Sequence, residues 1–166
     1  ISTKQLQLIT FCLLIAILGR IIPHPPNVTP LLSIILLLTM CLSLRQSIIA
    51  IIAVLLISDM LLSVINGYTF ASSWMVASYS GFLLIGIMAY LTRLSRISFS
   101  SSLIQATGFC LFYWLWSNWF VWWYTSMYVQ NISGLINCYT YALPFLRNSL
   151  LGDLVWMTII FGMRFW

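Results

Sequence analysis

Six apolar runs, separated by short polar breaks, make up nearly all of this 166-residue chain. The first covers about 5–22 and stops at Pro23-His24-Pro25-Pro26-Asn27-Val28-Thr29-Pro30. Proline has no N–H for a helix and pushes the preceding residue out of helical geometry, so this stretch predicts a stiff extended loop. A second run, 31–44, is short against the roughly 20 residues a bilayer-crossing helix needs, and the polar triplet Arg45-Gln46-Ser47 follows it. Further runs cover 48–65, 74–91, 101–124 and 139–163. The pattern predicts an all-α fold: a single transmembrane domain over 1–166, folded as a compact bundle of six transmembrane helices. The connections 23–30, 66–73 and 125–138 fall together on one side.

Composition supports this reading. The chain is 62% hydrophobic and 5% charged, with seven Lys or Arg, two Asp or Glu and a mean hydropathy of +1.05. A soluble domain carries about a quarter charged residues, because its surface faces water. A water-soluble enzyme and a disordered chain are excluded. The net charge of +5 comes from scattered single residues, not a basic stripe, so no nucleic-acid partner is expected. The expected surroundings are a lipid bilayer: a bacterial cytoplasmic (inner) membrane, or alternatively an organelle inner membrane. With the N-terminus in the cytoplasm, Lys4, Arg45, Arg93, Arg96 and Arg164 fall on the cytoplasmic side, and the loops 66–73 and 125–138 hold no Lys or Arg. That is a positive-inside pattern with both termini cytoplasmic. Lys4 precedes a long apolar stretch without a small-residue cleavage site, so no cleavable signal peptide is expected.

Little conventional catalytic chemistry is available. Cys12, Cys41, Cys110 and Cys138 have no paired spacing and His24 is the only histidine, so neither a metal site nor a cofactor is expected. No phosphate loop, HExxH or GxSxG motif occurs, and the chain reads as a non-enzyme. Ionisable groups at membrane depth are costly and tend to pair or to serve a function. Here they are Arg20, Asp59, Arg147 and Asp153, either structural ion pairs or contacts to a polar ligand. Most lie in the half of the bundle near the Pro-rich loop, which favours a pocket open to the outside over a conducting path. Candidate substrate-binding residues are Arg20, His24, Asn27, Asp59, Asn66, Tyr68, Trp74, Asn118, Arg147 and Asp153. Arg20 or Arg147 would take a carboxylate or phosphate, since a guanidinium presents a planar fork of donors. Ala16-x-x-Gly19 and Ala77-x-x-x-Gly81 are small-residue pairs that let helices approach closely.

Three stretches also carry a resemblance: Gly19-Arg20-Ile21-Ile22-Pro23-His24-Pro25-Pro26-Asn27-Val28-Thr29-Pro30; Ser58-Asp59-Met60 with Asn66-Gly67-Tyr68; and Ala142-Leu143-Pro144-Phe145-Leu146-Arg147-Asn148-Ser149-Leu150-Leu151-Gly152-Asp153. Over nearly its whole length the chain resembles an uncharacterised bacterial family of small six-helix transport proteins. That family is similar in turn to the substrate-binding (S) components of energy-coupling-factor vitamin transporters. The resemblance implies a vitamin-sized pocket near the outer surface, capped by the loop between the first two helices. It also implies small residues on the first helix that dock on a transmembrane coupling subunit driven by ATPases. The matching surface here offers Ala16 and Gly19, with bulky Leu and Ile around them. The function expected is capture and transport of a small polar or vitamin-like molecule. The alternative is a structural or accessory subunit of a larger membrane complex.

Overall fold

The computed structural model describes residues 2–70, 73–93 and 99–162, and every regular element among them is a helix. In chain order these are α1 (Thr3–Ile21), α2 (Leu31–Cys41), α3 (Leu44–Asn66), α4 (Ser73–Thr92), α5 (Phe99–Tyr124) and α6 (Ile132–Gly162). Three of them, Thr3–Ile21, Leu44–Asn66 and Trp74–Thr92, are long and apolar enough to cross a membrane. Large apolar side chains such as Leu18, Ile49, Leu91, Ile104 and Val155 stand exposed around the bundle. A soluble protein does not leave so much contiguous apolar surface in water. The expected positions of Arg96, Arg164 and the last helix's end at Met163 lie outside the described residues.

Two boundaries differ from the pattern reading, each because a polar residue starts a helix instead of interrupting one. Arg45-Gln46-Ser47 is not a break but the first turn of α3. Ser43 is its N-cap, with Gln46 reaching back to the Ser43 backbone N–H at 3.1 Å. This reciprocal capping satisfies helix-start N–H groups that would otherwise lack partners. Ser2 and Gln5 do the same for α1, and the two capping glutamines meet across the bundle at 3.4 Å. At the other boundary, α6 begins at Ile132, seven residues before the expected start. The Asn131 side chain accepts from the Gly134 N–H at 2.7 Å and caps the helix, so the 125–138 connection shrinks to 125–131.

The shortest helix sits in the middle. Every residue of α2 from Leu31 to Thr39 is buried, and α2 packs against all five other helices. Its sequence has no polar face because it has no exposed face. Eleven residues at about 1.5 Å each make roughly 16 Å, about half of a hydrocarbon core, so α2 alone does not cross one. At its far end Arg93 closes it. That guanidinium donates to the Thr39 and Leu42 carbonyls, both at 3.1 Å, and lies over the Tyr90 ring, 3.8 Å from its centroid. A cation at a helix C-terminus meets both unpaired carbonyls and the negative end of the dipole. Arg93→Ala should therefore destabilise the chain by about 1–2 kcal/mol, measured as a lower unfolding midpoint in detergent. Arg93→Lys, which keeps the charge but loses the fork, should recover part of it; an unchanged midpoint for the alanine variant would remove Arg93 from this role.

The small-residue pairs serve internal packing. A Cβ on Gly81 would lie 2.8 Å from Trp116, whose indole donates to the Ala77 carbonyl at 3.1 Å. Ala77 and Gly81 thus form the seat for an α5 tryptophan. Ala16 and Gly19 are also buried, and Gly19 faces Pro30 and Trp156. A partner helix docking on this pair would have to open those contacts.

Candidate functional site

The segment 22–30, between α1 and α2, is held at two points where only glycine fits. A Cβ on Gly19 would fall 2.7 Å from Pro30 Cγ, and one on Gly152 would fall 2.8 Å from Val28 Cα. Between these anchors Asn27 adopts φ 67°, the left-handed region that asparagine tolerates better than most residues. Pro30 then starts α2 with its side chain fully buried.

Beside this loop a charged cluster joins three helices. Arg20, in the last turn of α1, pairs through Nη1 with Asp59 Oδ1 of α3 at 2.5 Å and donates to Ser58 Oγ at 2.6 Å. Tyr79 of α4 donates its hydroxyl to Asp59 Oδ2 at 2.8 Å. This is the ion-pair option left open by the sequence, realised for one of the two acids.

The cluster borders a cavity of about 380 Å³, in the range of small-molecule sites. All six helices and the 22–30 loop contribute to its wall. The contributions follow helical periodicity. On α6, Phe145, Ser149 and Asp153 lie four apart; on α5, Cys110, Tyr113, Trp114, Ser117, Asn118 and Val121 form one stripe. The wall is largely aromatic, and Phe82 of α4 stacks on Tyr113 with ring centroids 4.3 Å apart. Its polar groups are few: the Arg20–Asp59 pair, Asn27 and Thr29 from the loop, Ser78, Ser117, Asn118, Ser149 and Asp153. Asp153 is the one buried acid of the wall, with only 8% of it exposed. The Cys110 thiol lies beside its carboxyl. Among the described residues no cation pairs with it.

Six of the ten sequence candidates therefore meet on one cavity: Arg20, Asn27, Asp59, Trp74, Asn118 and Asp153. The other four do not line it. His24 donates from Nδ1 to the Ile22 carbonyl at 2.5 Å, which fixes its tautomer by the acceptor it meets. Asn66 donates to the Leu62 carbonyl at 2.9 Å, and Tyr68 is exposed. Arg147 stands exposed on another face of α6. Sequence reasoning missed Tyr79, Phe82, Tyr113, Trp114 and Ser149 as lining groups. Their signal was the i, i+3, i+4 stripe, which an almost uniformly apolar sequence hides. The Trp114 and Trp116 indoles donate to the Ala142 and Ala77 carbonyls, tying α5 to α6 and α4.

All 166 residues match the family model described as "Family of unknown function (DUF6580)", and the chain belongs to that family. No curated protein and no solved structure matches it.

Proposed function

We propose that this DUF6580 chain is an integral membrane protein that captures a small molecule from outside the cell in the cavity beside the 22–30 loop, for transport in the manner of an S component. The observation that carries the reading is the cavity itself: six helices and a glycine-seated loop converge on a volume of small-molecule size with few, clustered polar groups. Charge placement supports the orientation. Lys4, Arg45 and Arg93 sit where α1 and α3 begin and α4 ends, opposite the cavity, so the positive-inside tendency turns the cavity outward. In this arrangement α2 and its loop form one half-spanning unit buried among longer helices, where irregular backbone at membrane depth is tolerated.

The test is ligand binding by the purified chain. Mass spectrometry of co-purifying small molecules and thermal shift against a vitamin and nucleobase panel should identify at least one stabilising compound. At a hundred times its Kd such a ligand adds about 2.7 kcal/mol. Arg147→Ala should leave that shift unchanged, whereas Ser149→Trp, which fills the cavity, should abolish it. A panel with no stabilising member, together with no co-purifying compound, overturns the reading.

One observation favours the alternative, an accessory subunit of a larger complex: Arg147 is exposed on the flank of α6, between the exposed Leu143 and Leu151 one turn either side. A charge on an apolar flank needs a polar partner. Native electrophoresis after gentle extraction separates the readings. A free monomer favours capture, and a stable large assembly that Arg147→Ala dissolves favours the subunit.

A further inference from the structure

The proposed capture site has a charge character that its arginines suggest only until their partners are counted. Arg20 is neutralised by Asp59 at 2.5 Å and held by Ser58. Arg147, the other candidate for an anionic ligand, lies outside the cavity. What remains in the wall is one carboxyl, Asp153, more than nine-tenths buried and, among the described residues, without a cation. A charge in such surroundings is costly unless something pairs with it. The positive end of α2, which no side chain caps and whose Leu31 and Leu32 reach the cavity, supplies about half a unit of charge. A bound cation would supply the rest and hold the carboxyl in its ionised form.

We infer that the cavity takes an organic cation, a small molecule whose positive nitrogen lies against Asp153 with aromatic rings around it. Six aromatic side chains line the cavity: Trp74, Tyr79, Phe82, Tyr113, Trp114 and Phe145. Ring faces carry negative charge density and attract cations, most strongly where water is excluded, and an aromatic enclosure is a recurrent way to bind ammonium groups. A buried carboxyl in a largely aromatic wall is matched to a cation in a way that neither an anion nor a neutral sugar would exploit. The inference rests on the capture reading and narrows it to a substrate class.

The test uses the full chain in nanodiscs, titrated calorimetrically with two matched series. One is choline, 3,3-dimethylbutan-1-ol and 3,3-dimethylbutanoate; the other is 2-phenylethylammonium, 2-phenylethanol and phenylacetate. Within each series shape is nearly constant and only charge changes. In at least one series the cation should bind tenfold or more tighter than its neutral and anionic counterparts. Asp153→Asn should reduce that binding at least tenfold, and Asp153→Glu should retain part of it. If the asparagine variant does not fold, the charge preference of the unaltered protein decides alone. Equal or tighter binding of a neutral or anionic member overturns the cation assignment and leaves capture standing. Binding by none of the six overturns the cation assignment too, and a blank vitamin and nucleobase panel beside it removes the capture reading as well.

Discussion

Arg20→Gln should lower the unfolding midpoint of the detergent-solubilised chain by roughly 6–12 °C, the equivalent of about 3 kcal/mol in a protein of this size. The substitution leaves Asp59 with Tyr79 as its remaining hydrogen-bond donor, and about four-fifths of each charged side chain is buried. Removing one partner of a buried pair is expensive because the other charge stays behind without compensation; the pair itself adds far less. Asp59→Asn alone should therefore also destabilise, by stranding the guanidinium. The double variant should be more stable than the sum of the two losses predicts, by about 1–3 kcal/mol of coupling. Strict additivity, or an Arg20→Gln chain as stable as the parent, would show that the contact between α1 and α3 does not hold the bundle together. The geometry argues against both outcomes. Arg20, Ser58, Asp59 and Tyr79 form a continuous bonded chain over three helices at the rim of the cavity.

How far the fold could be read in advance depended on whether polar residues marked helix ends or interiors. The Pro-rich segment could not continue a helix, and α2 begins at Leu31 as the prolines require. Ser43-Leu44-Arg45-Gln46 carries a capping-box spacing, but a polar triplet between two apolar runs looks the same as a break. Asn131 and Gly134 looked like loop residues for the reason that made them a helix start: asparagine caps, and Gly134 faces the Val129 carbonyl, where a Cβ would sit 1.9 Å away. In the site, the acids and Arg20 were legible because each charge in so apolar a chain stands out. Arg147 misled for the same reason. Helical phase separates it from Asp153: six residues at about 100° each leave the two some 120° apart, so both could not face one cavity. The aromatic wall was not legible. With 16% aromatic residues overall, the α5 stripe has no polar contrast to mark it.

The 22–30 loop offers the sharpest test of how sequence sets the site, because two glycine-to-alanine changes should have opposite signs. In a helix interior alanine is favoured over glycine by about 1 kcal/mol. Gly108, on α5, has open space where a Cβ would be, so Gly108→Ala should stabilise the chain by about that amount. Gly152→Ala gains the same helical preference but places a methyl 2.8 Å from Val28 Cα, with the Val28 side chain at 3.0 and 3.2 Å. Backbone cannot rotate away as a flexible side chain can, and overpacking of this kind costs about 1–3 kcal/mol. The net effect should be a loss of stability, or a loop displaced far enough to relieve the clash. Displacement has a second consequence, since Asn27 and Thr29 leave the cavity wall with it. Ligand affinity in Gly152→Ala should then fall at least tenfold, while Gly108→Ala binds as the parent does. Asn27 separates the two routes. Asn27→Gly keeps the left-handed conformation and should leave the midpoint nearly unchanged. Asn27→Val, forced to φ 67° or out of it, should cost about 1–2 kcal/mol. If Gly152→Ala behaved as Gly108→Ala does in both melting and binding, the loop would not be seated on α6 in the working protein, and the cavity would not have the wall described for it.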